Sequence, residues 1–149
     1  MSSQDLTLGF SVDQSPKAVF DAVNNVRGWW SEAIEGSTDK LGAEFTYRYK
    51  DIHRSTHAIT ELVPDRRVVW HVVDSYIGFV KDKAEWNGTD IVFEIAEQDG
   101  KTELRFTHVG LTPSVECYGG CAGAWGFYIN ESLRSLITTG KGDPNATLA

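Results

Sequence analysis

Of the side chains in this sequence that can do chemistry, the histidines reach furthest. An imidazole can donate, accept, ligate a metal or carry a proton near neutral pH. There are four. His108 ends a run in which Leu104, Phe106 and His108 alternate with other residues, so its ring is expected on their apolar face. A buried imidazole there can orient a ligand's polar group or act as a general base. The plainer alternative is a hydrogen-bonded structural histidine at a strand end. His53 falls in a turn, His57 lies near the start of a strand, and His71 alternates away from Trp70. No pair has the i, i+4 spacing of a helical zinc site and no C-x-x-C is present, so no metal site is expected.

Cys117 and Cys121 are four apart on an expected helix, close to one face. A disulfide there would strain helical geometry, so both are expected as free thiols, with Cys121 a small buried hydrophobe. Glu61 is a further candidate base, but alternation leaves its side of the strand ambiguous. Nothing in the chain signals a serine hydrolase, a phosphate loop or a paired-carboxylate site, and no cofactor is expected.

The aromatic residues are the other chemical resource. Five Trp, five Tyr and seven Phe make up 11% of 149 residues. Trp29, Trp30, Trp70, Trp86 and Trp125 either fill a core or line a cavity, and each indole N–H needs a partner.

Composition bounds what these residues can serve. The length fits one domain, expected over 1–141, with 142–149 as a flexible tail. Hydrophobic residues are 41%, charged residues 23% and the net charge is -7. An acidic surface disfavours nucleic acid and anionic membranes as partners. No apolar run approaches the ~18 residues of a spanning helix, so membrane insertion is not expected. The opening Met1-Ser-Ser-Gln-Asp-Leu6 has neither a basic nor an apolar leader segment, which points to the cytoplasm.

The elements that would position these residues follow from periodicity. Leu6, Leu8, Phe10 and Val12 alternate as a half-buried strand. Ser15-Pro16 reads as an N-cap and first helical residue, followed by Val19, Phe20 and Val23 at helical spacing. A second short helix or turn carries Val26, Trp29 and Trp30. Strands follow at Phe45–Tyr49, Ser55–Val63 and Arg67–Asp74, the last two joined by a turn at Pro64-Asp65. Ser75–Gly88 reads mainly as a long loop. Thr89–Ala96 and Thr102–Val109 form a hairpin around Asp99-Gly100. Tyr118, Ala122, Trp125, Ile129, Leu133 and Leu136 then recur every three or four residues. They mark one long amphipathic helix from near Pro113 to Thr139, capped by Gly140. Gly119, Gly120, Gly123 and Gly126 crowd its first half. They imply a close backbone approach there, or a helix that bends or opens; other packing that tolerates them is the bland alternative. The order predicts an α+β fold in which about six or seven antiparallel strands curve around the last helix.

The pattern resembles a known family. Ser15-Pro-Lys-Ala-Val-Phe20 with Trp29-Trp30, Val63-Pro-Asp-Arg-Arg-Val-Val-Trp70 and Glu85-Trp-Asn-Gly-Thr89 carry the likeness. So do Phe106-Thr-His-Val-Gly-Leu111 and Trp125-Gly-Phe-Tyr-Ile-Asn-Glu-Ser-Leu-Arg-Ser-Leu136. The chain resembles the START-like (SRPBCC) superfamily, and within it bacterial proteins similar to the C-terminal domain of the activator of the Hsp90 ATPase. The resemblance implies a helix-grip fold with a hydrophobic cavity. Its members include lipid and hormone binders, polyketide cyclases and co-chaperones.

Two functions follow as expectations. The first is a non-catalytic carrier or sensor of a small aromatic or lipid-like ligand. The second is a protein-interaction module of co-chaperone or stress-response type. A cyclase or hydrolase is a weaker third. Either a monomer or a homodimer is compatible with them. The ligand-lining residues are expected to be Trp30, Phe45, Tyr47, Trp70, Phe93, Phe106, His108, Trp125 and Tyr128, with the glycine-rich half-helix and the Ser75–Gly88 loop as the entrance. Replacing His108 is expected to change selectivity more than stability.

Overall fold

The computed structural model describes residues 5–31, 34–49, 53–77, 86–112 and 118–144. Seven strands form one antiparallel sheet: β1 (Leu6–Val12), β2 (Glu35–Gly36), β3 (Glu44–Tyr49), β4 (His53–Val63), β5 (Arg67–Ile77), β6 (Asp90–Gln98) and β7 (Lys101–Val109). Their spatial order is β1-β7-β6-β5-β4-β3-β2. Two short helices, α1 (Pro16–Asn24) and α2 (Val26–Trp29), follow β1. The chain ends in α3 (Tyr118–Phe127), a wider π-helical stretch (Tyr128–Leu133) and α4 (Arg134–Thr139). The expected start of this helix at residues 113–117 lies outside the described residues.

Local sequence explains most boundaries. The Ser15 hydroxyl accepts from the Ala18 N–H at 3.1 Å, and Pro16 sits where no N–H is needed. Asp99 and Gly100 both take positive φ, 53° and 79°, which suits the tight turn between β6 and β7. Gly140 closes α4 in the left-handed conformation, φ 83°, and its N–H donates to the Leu136 carbonyl.

The inner face of the sheet follows alternation across β6 and β7, where Ile91, Phe93, Ile95, Leu104, Phe106 and His108 are buried. Alternation breaks twice between β4 and β5. Thr56 pairs with Asp74 but His57 with Val72, so Val73 is an extra residue. Ile59 pairs with Trp70 but Glu61 with Val69, so Thr60 is another. Such bulges bend a sheet and re-aim the side chains beyond them. Ser75 is therefore buried and Asp74 exposed, while Glu61 faces solvent and pairs with Arg67 at 3.1 Å.

Several expectations need correction. Ser75–Ile77 belong to β5, not to a loop, because they pair with Ser55, Arg54 and His53. His53 likewise opens β4 instead of standing in a turn. The last helix is not uniformly α-helical. Its wider turn shifts the buried stripe by about one residue, so Ile137 is buried and Leu136 only half-buried. Close approach does not explain Gly123 or Gly126, since an added Cβ at either would meet nothing within 4 Å. The chain beyond the helix folds back. The Asp143 N–H donates to the Ser132 hydroxyl at 2.8 Å, and that hydroxyl donates to the Trp29 carbonyl at 2.7 Å. Residues 145–149 of the expected tail lie outside the described residues, as do Cys117 and the Cys121 side chain.

Candidate functional site

The space between the C-terminal helix and the concave sheet is built from rings. Trp30 comes from the end of α2, Phe45 and Tyr47 from β3, Trp70 from β5, Phe93 from β6, and Phe106 and His108 from β7. Trp125 and Tyr128 come from the last helix. None of these nine expected residues is more than 6% exposed. Eight of them form one connected cluster. Trp30 stacks on Tyr47 with centroids 4.2 Å apart and touches Trp125 at 4.9 Å and Trp70 at 6.0 Å. Trp70 meets Phe45 and Phe93 edge-on, Phe93 meets Phe106, and Phe106 and His108 meet Trp125. Tyr128 is buried beside Phe127, 5.4 Å away.

His108 is held at both ring nitrogens. The Trp125 indole N–H donates to Nδ1 at 3.2 Å, which places the ring proton on Nε2. Nε2–H then donates to the Thr89 hydroxyl at 2.9 Å, and that hydroxyl donates to the Trp86 carbonyl at 2.6 Å. The chain of donors is closed and needs no ligand. Burial and, to a smaller degree, the neighbouring His53 push the His108 pKa down to about 3.

Sequence reasoning missed a polar end of the same cluster. His57 is fully buried, its ring against Phe45, Trp30 and Trp70 at 5.0, 5.5 and 5.6 Å. Its Nε2 lies 2.8 Å from the Ser55 hydroxyl, and its Nδ1 has no partner among the described residues. Burial holds its pKa well below the usual histidine value, with His108 and His53 adding to the effect. His53 packs edge-on to Trp86 at 4.7 Å and to Tyr47 at 5.2 Å. Burial lowers its pKa to about 4, and its Nε2 has no partner among the described residues. The indole N–H groups of Trp70 and Trp86 are likewise buried without acceptors among the described residues. Trp29 and Trp86 complete the cluster, stacked on Trp70 and Trp125. The signal that could have found the polar end is the alternation His53, Ser55, His57, Ile59 in a single strand.

His71 stands apart on the outer face, its Nδ1 2.7 Å from Asp90. Among the described residues no three His, Cys, Asp or Glu side chains gather as metal ligands, and no helix is long and apolar enough to cross a membrane. The expected entrance lies mostly outside the described residues, at 78–85.

Known proteins share this architecture. The solution structure of the Aha1 dimer from Colwellia psychrerythraea superposes with a TM-score of 0.74 at 22% identity, covering 93% of this chain and 99% of that one. Protein SSP2350 from Staphylococcus saprophyticus gives 0.68 at 17% identity, over 97% and 98%. CalU16 from Micromonospora echinospora gives 0.65 at 15%, over 95% and 78%. At these identities the likeness shows the helix-grip fold alone. No curated protein matches the chain. Residues 13–138, most of the sequence and nearly all of the fold, match the family described as Activator of Hsp90 ATPase homolog 1-like protein. The chain therefore belongs to that family.

Proposed function

We propose that this protein is a non-catalytic cytoplasmic carrier or sensor of a small hydrophobic molecule, aromatic or lipid-like, held between the C-terminal helix and the concave sheet. The observation that carries this reading is an aromatic cluster spanning helix and sheet in which polar atoms of Trp70, Trp86, His57 and His53 lack partners among the described residues. A core built only for stability avoids such atoms, because each unmet buried group costs roughly 1–3 kcal/mol. The rings supply burial at about 25 cal/mol per Å² of apolar surface covered.

The test uses the neutral probe N-phenyl-1-naphthylamine. Saturating probe is expected to quench the Trp emission and raise the melting temperature. Trp125→Ala is expected to weaken binding about tenfold, the equivalent of roughly 55 Å² of lost apolar contact. Neither quenching nor a thermal shift at saturation would overturn the reading.

A second reading, a protein-interaction module acting on an Hsp90-type chaperone, is favoured by the family match over residues 13–138. It calls for an exposed apolar surface. The exposed large apolar side chains among the described residues, Leu41, Val63, Val73, Tyr76 and Val109, are divided among a loop and three strands. Stimulation of a bacterial Hsp90 ATPase by the purified chain, with no probe binding, would favour this reading over the first. The chain acts as a monomer or a homodimer, the latter being the state named for the Colwellia neighbour.

A further inference from the structure

Resting on the carrier reading, we infer that the interior selects neutral, planar aromatic carbonyl compounds over plain aromatic hydrocarbons and over fatty acids. Three features argue for this ligand class.

The first is the kind of polar atom left unmet. Trp70 Nε1 and Trp86 Nε1 are donors only. Where the Ser55 hydroxyl donates to Nε2, a neutral His57 carries its proton on Nδ1 and adds a third donor, while the unmet Nε2 of His53 is donor or acceptor according to its tautomer. At least two indole N–H groups of the interior therefore want a lone pair. A hydrocarbon leaves them all unmet, whereas a carbonyl oxygen has two lone pairs to offer.

The second is charge. The buried polar residues among those described include Ser55, His57, Ser75 and His108, but no Asp, Glu, Lys or Arg. Among the described residues a carboxylate would find no buried cation to pair with, and an ammonium no buried anion, which makes either expensive to bury. The imidazoles do not substitute for a cation, since burial keeps His53, His57 and His108 neutral at ordinary pH.

The third is shape and placement. Flat faces dominate: Trp30 lies 2° from the plane of Trp70 and 14° from that of Tyr47, and Trp86 lies 13° from that of Trp125. Parallel ring faces match planar ligands better than alkyl chains. The donors fall into two groups, Trp70 with His57 and Trp86 beside His53. Trp30 and Tyr47 bridge these groups within the same cluster.

The test compares 9-fluorenone with fluorene, which share one tricyclic frame and differ by a carbonyl, and with dodecanoate, by calorimetry on the full chain. Fluorenone is expected to bind about tenfold tighter than fluorene, ~1.4 kcal/mol, and dodecanoate to bind most weakly. Trp70→Phe and Trp86→Phe keep a ring but lose the N–H. Each is expected to lower fluorenone affinity severalfold more than it lowers fluorene affinity. A measurement on the unaltered chain guards against misfolded variants: fluorenone, but not fluorene, should move indole N–H resonances in a ¹⁵N correlation spectrum. Equal affinities for the two frames, a preference that survives both substitutions, or tighter dodecanoate binding would overturn the inference while sparing the carrier reading. Equal affinities would mean that ordered water already serves these donors. Failure of all three compounds to bind would overturn both.

Discussion

Both nitrogens of His108 are engaged inside the protein, and this changes what its loss should do. From the sequence, replacing it was expected to alter selectivity more than stability. The geometry argues the reverse. His108→Ala strands the Trp125 indole N–H, removes a donor from Thr89 and leaves a gap in a fully buried ring cluster. A loss of roughly 3–5 kcal/mol is expected, the range for emptying a buried aromatic site. Urea unfolding would read it as a lower midpoint, and an unchanged midpoint would contradict the closed donor chain. His57 and the indoles of Trp70 and Trp86 hold the opposite position, buried with atoms unmet by the described residues, and under the carrier reading proposed above they are the groups that would orient a ligand.

At the scale of elements, the two bulges between β4 and β5 do more than curve the sheet. Strict alternation from Ser55 through His57 and Ile59 would turn Glu61 inward; the extra Thr60 sends it out to Arg67. The extra Val73 brings Ser75 inside in place of Asp74, where its hydroxyl donates to the Asn87 side chain at 2.7 Å. Two carboxylates that alternation would bury are thereby kept in water. In the last helix Gly123 and Gly126 are not there for close packing. Gly123→Ala is expected to stabilise the fold by about 0.5–1 kcal/mol, because the new methyl meets nothing and the unfolded chain loses freedom. Gly100→Ala has equal space but φ of 79°, so it is expected to destabilise by about 1 kcal/mol. The pair separates backbone strain from crowding, and two denaturation curves of the same sign would refute the distinction.

For the whole molecule, three buried neutral imidazoles couple folding to acid. His53 and His108 titrate near 4 and 3 in the fold and His57 well below its usual value, against about 6.5 in an unfolded chain. Below pH ~6.5 the unfolded state therefore binds more protons. Stability is full above that pH and falls as the pH drops toward the native values, by up to ~1.4 kcal/mol per pH unit for each histidine. Urea midpoints are expected to be level above pH 7 and to decline steeply from 6.5 to 4.5, and His53→Phe should flatten part of the slope. A midpoint constant down to pH 5 would show that these rings are not held neutral.

The sequence by itself determined the order of the main elements apart from the two-residue β2, the sheet's antiparallel character, the caps at Ser15 and Gly140, the tight turn at Asp99-Gly100 and nine of the buried interior rings. These depend on local periodicity and on turn and cap chemistry, which act over a few residues and leave a trace at each position. Tertiary structure alone decided the rest. Whether Glu61 faces in or out depends on an extra residue that only pairing with β5 reveals. Ser75–Ile77 lack a clean alternating pattern because a bulge precedes them, so their strand character appears only against β4. The roles of His57 and His108 depend on partners contributed by other elements. The histidine that ends a clean apolar strand is bonded at both ring nitrogens, and the one near a strand's start is buried with one nitrogen unmet among the described residues.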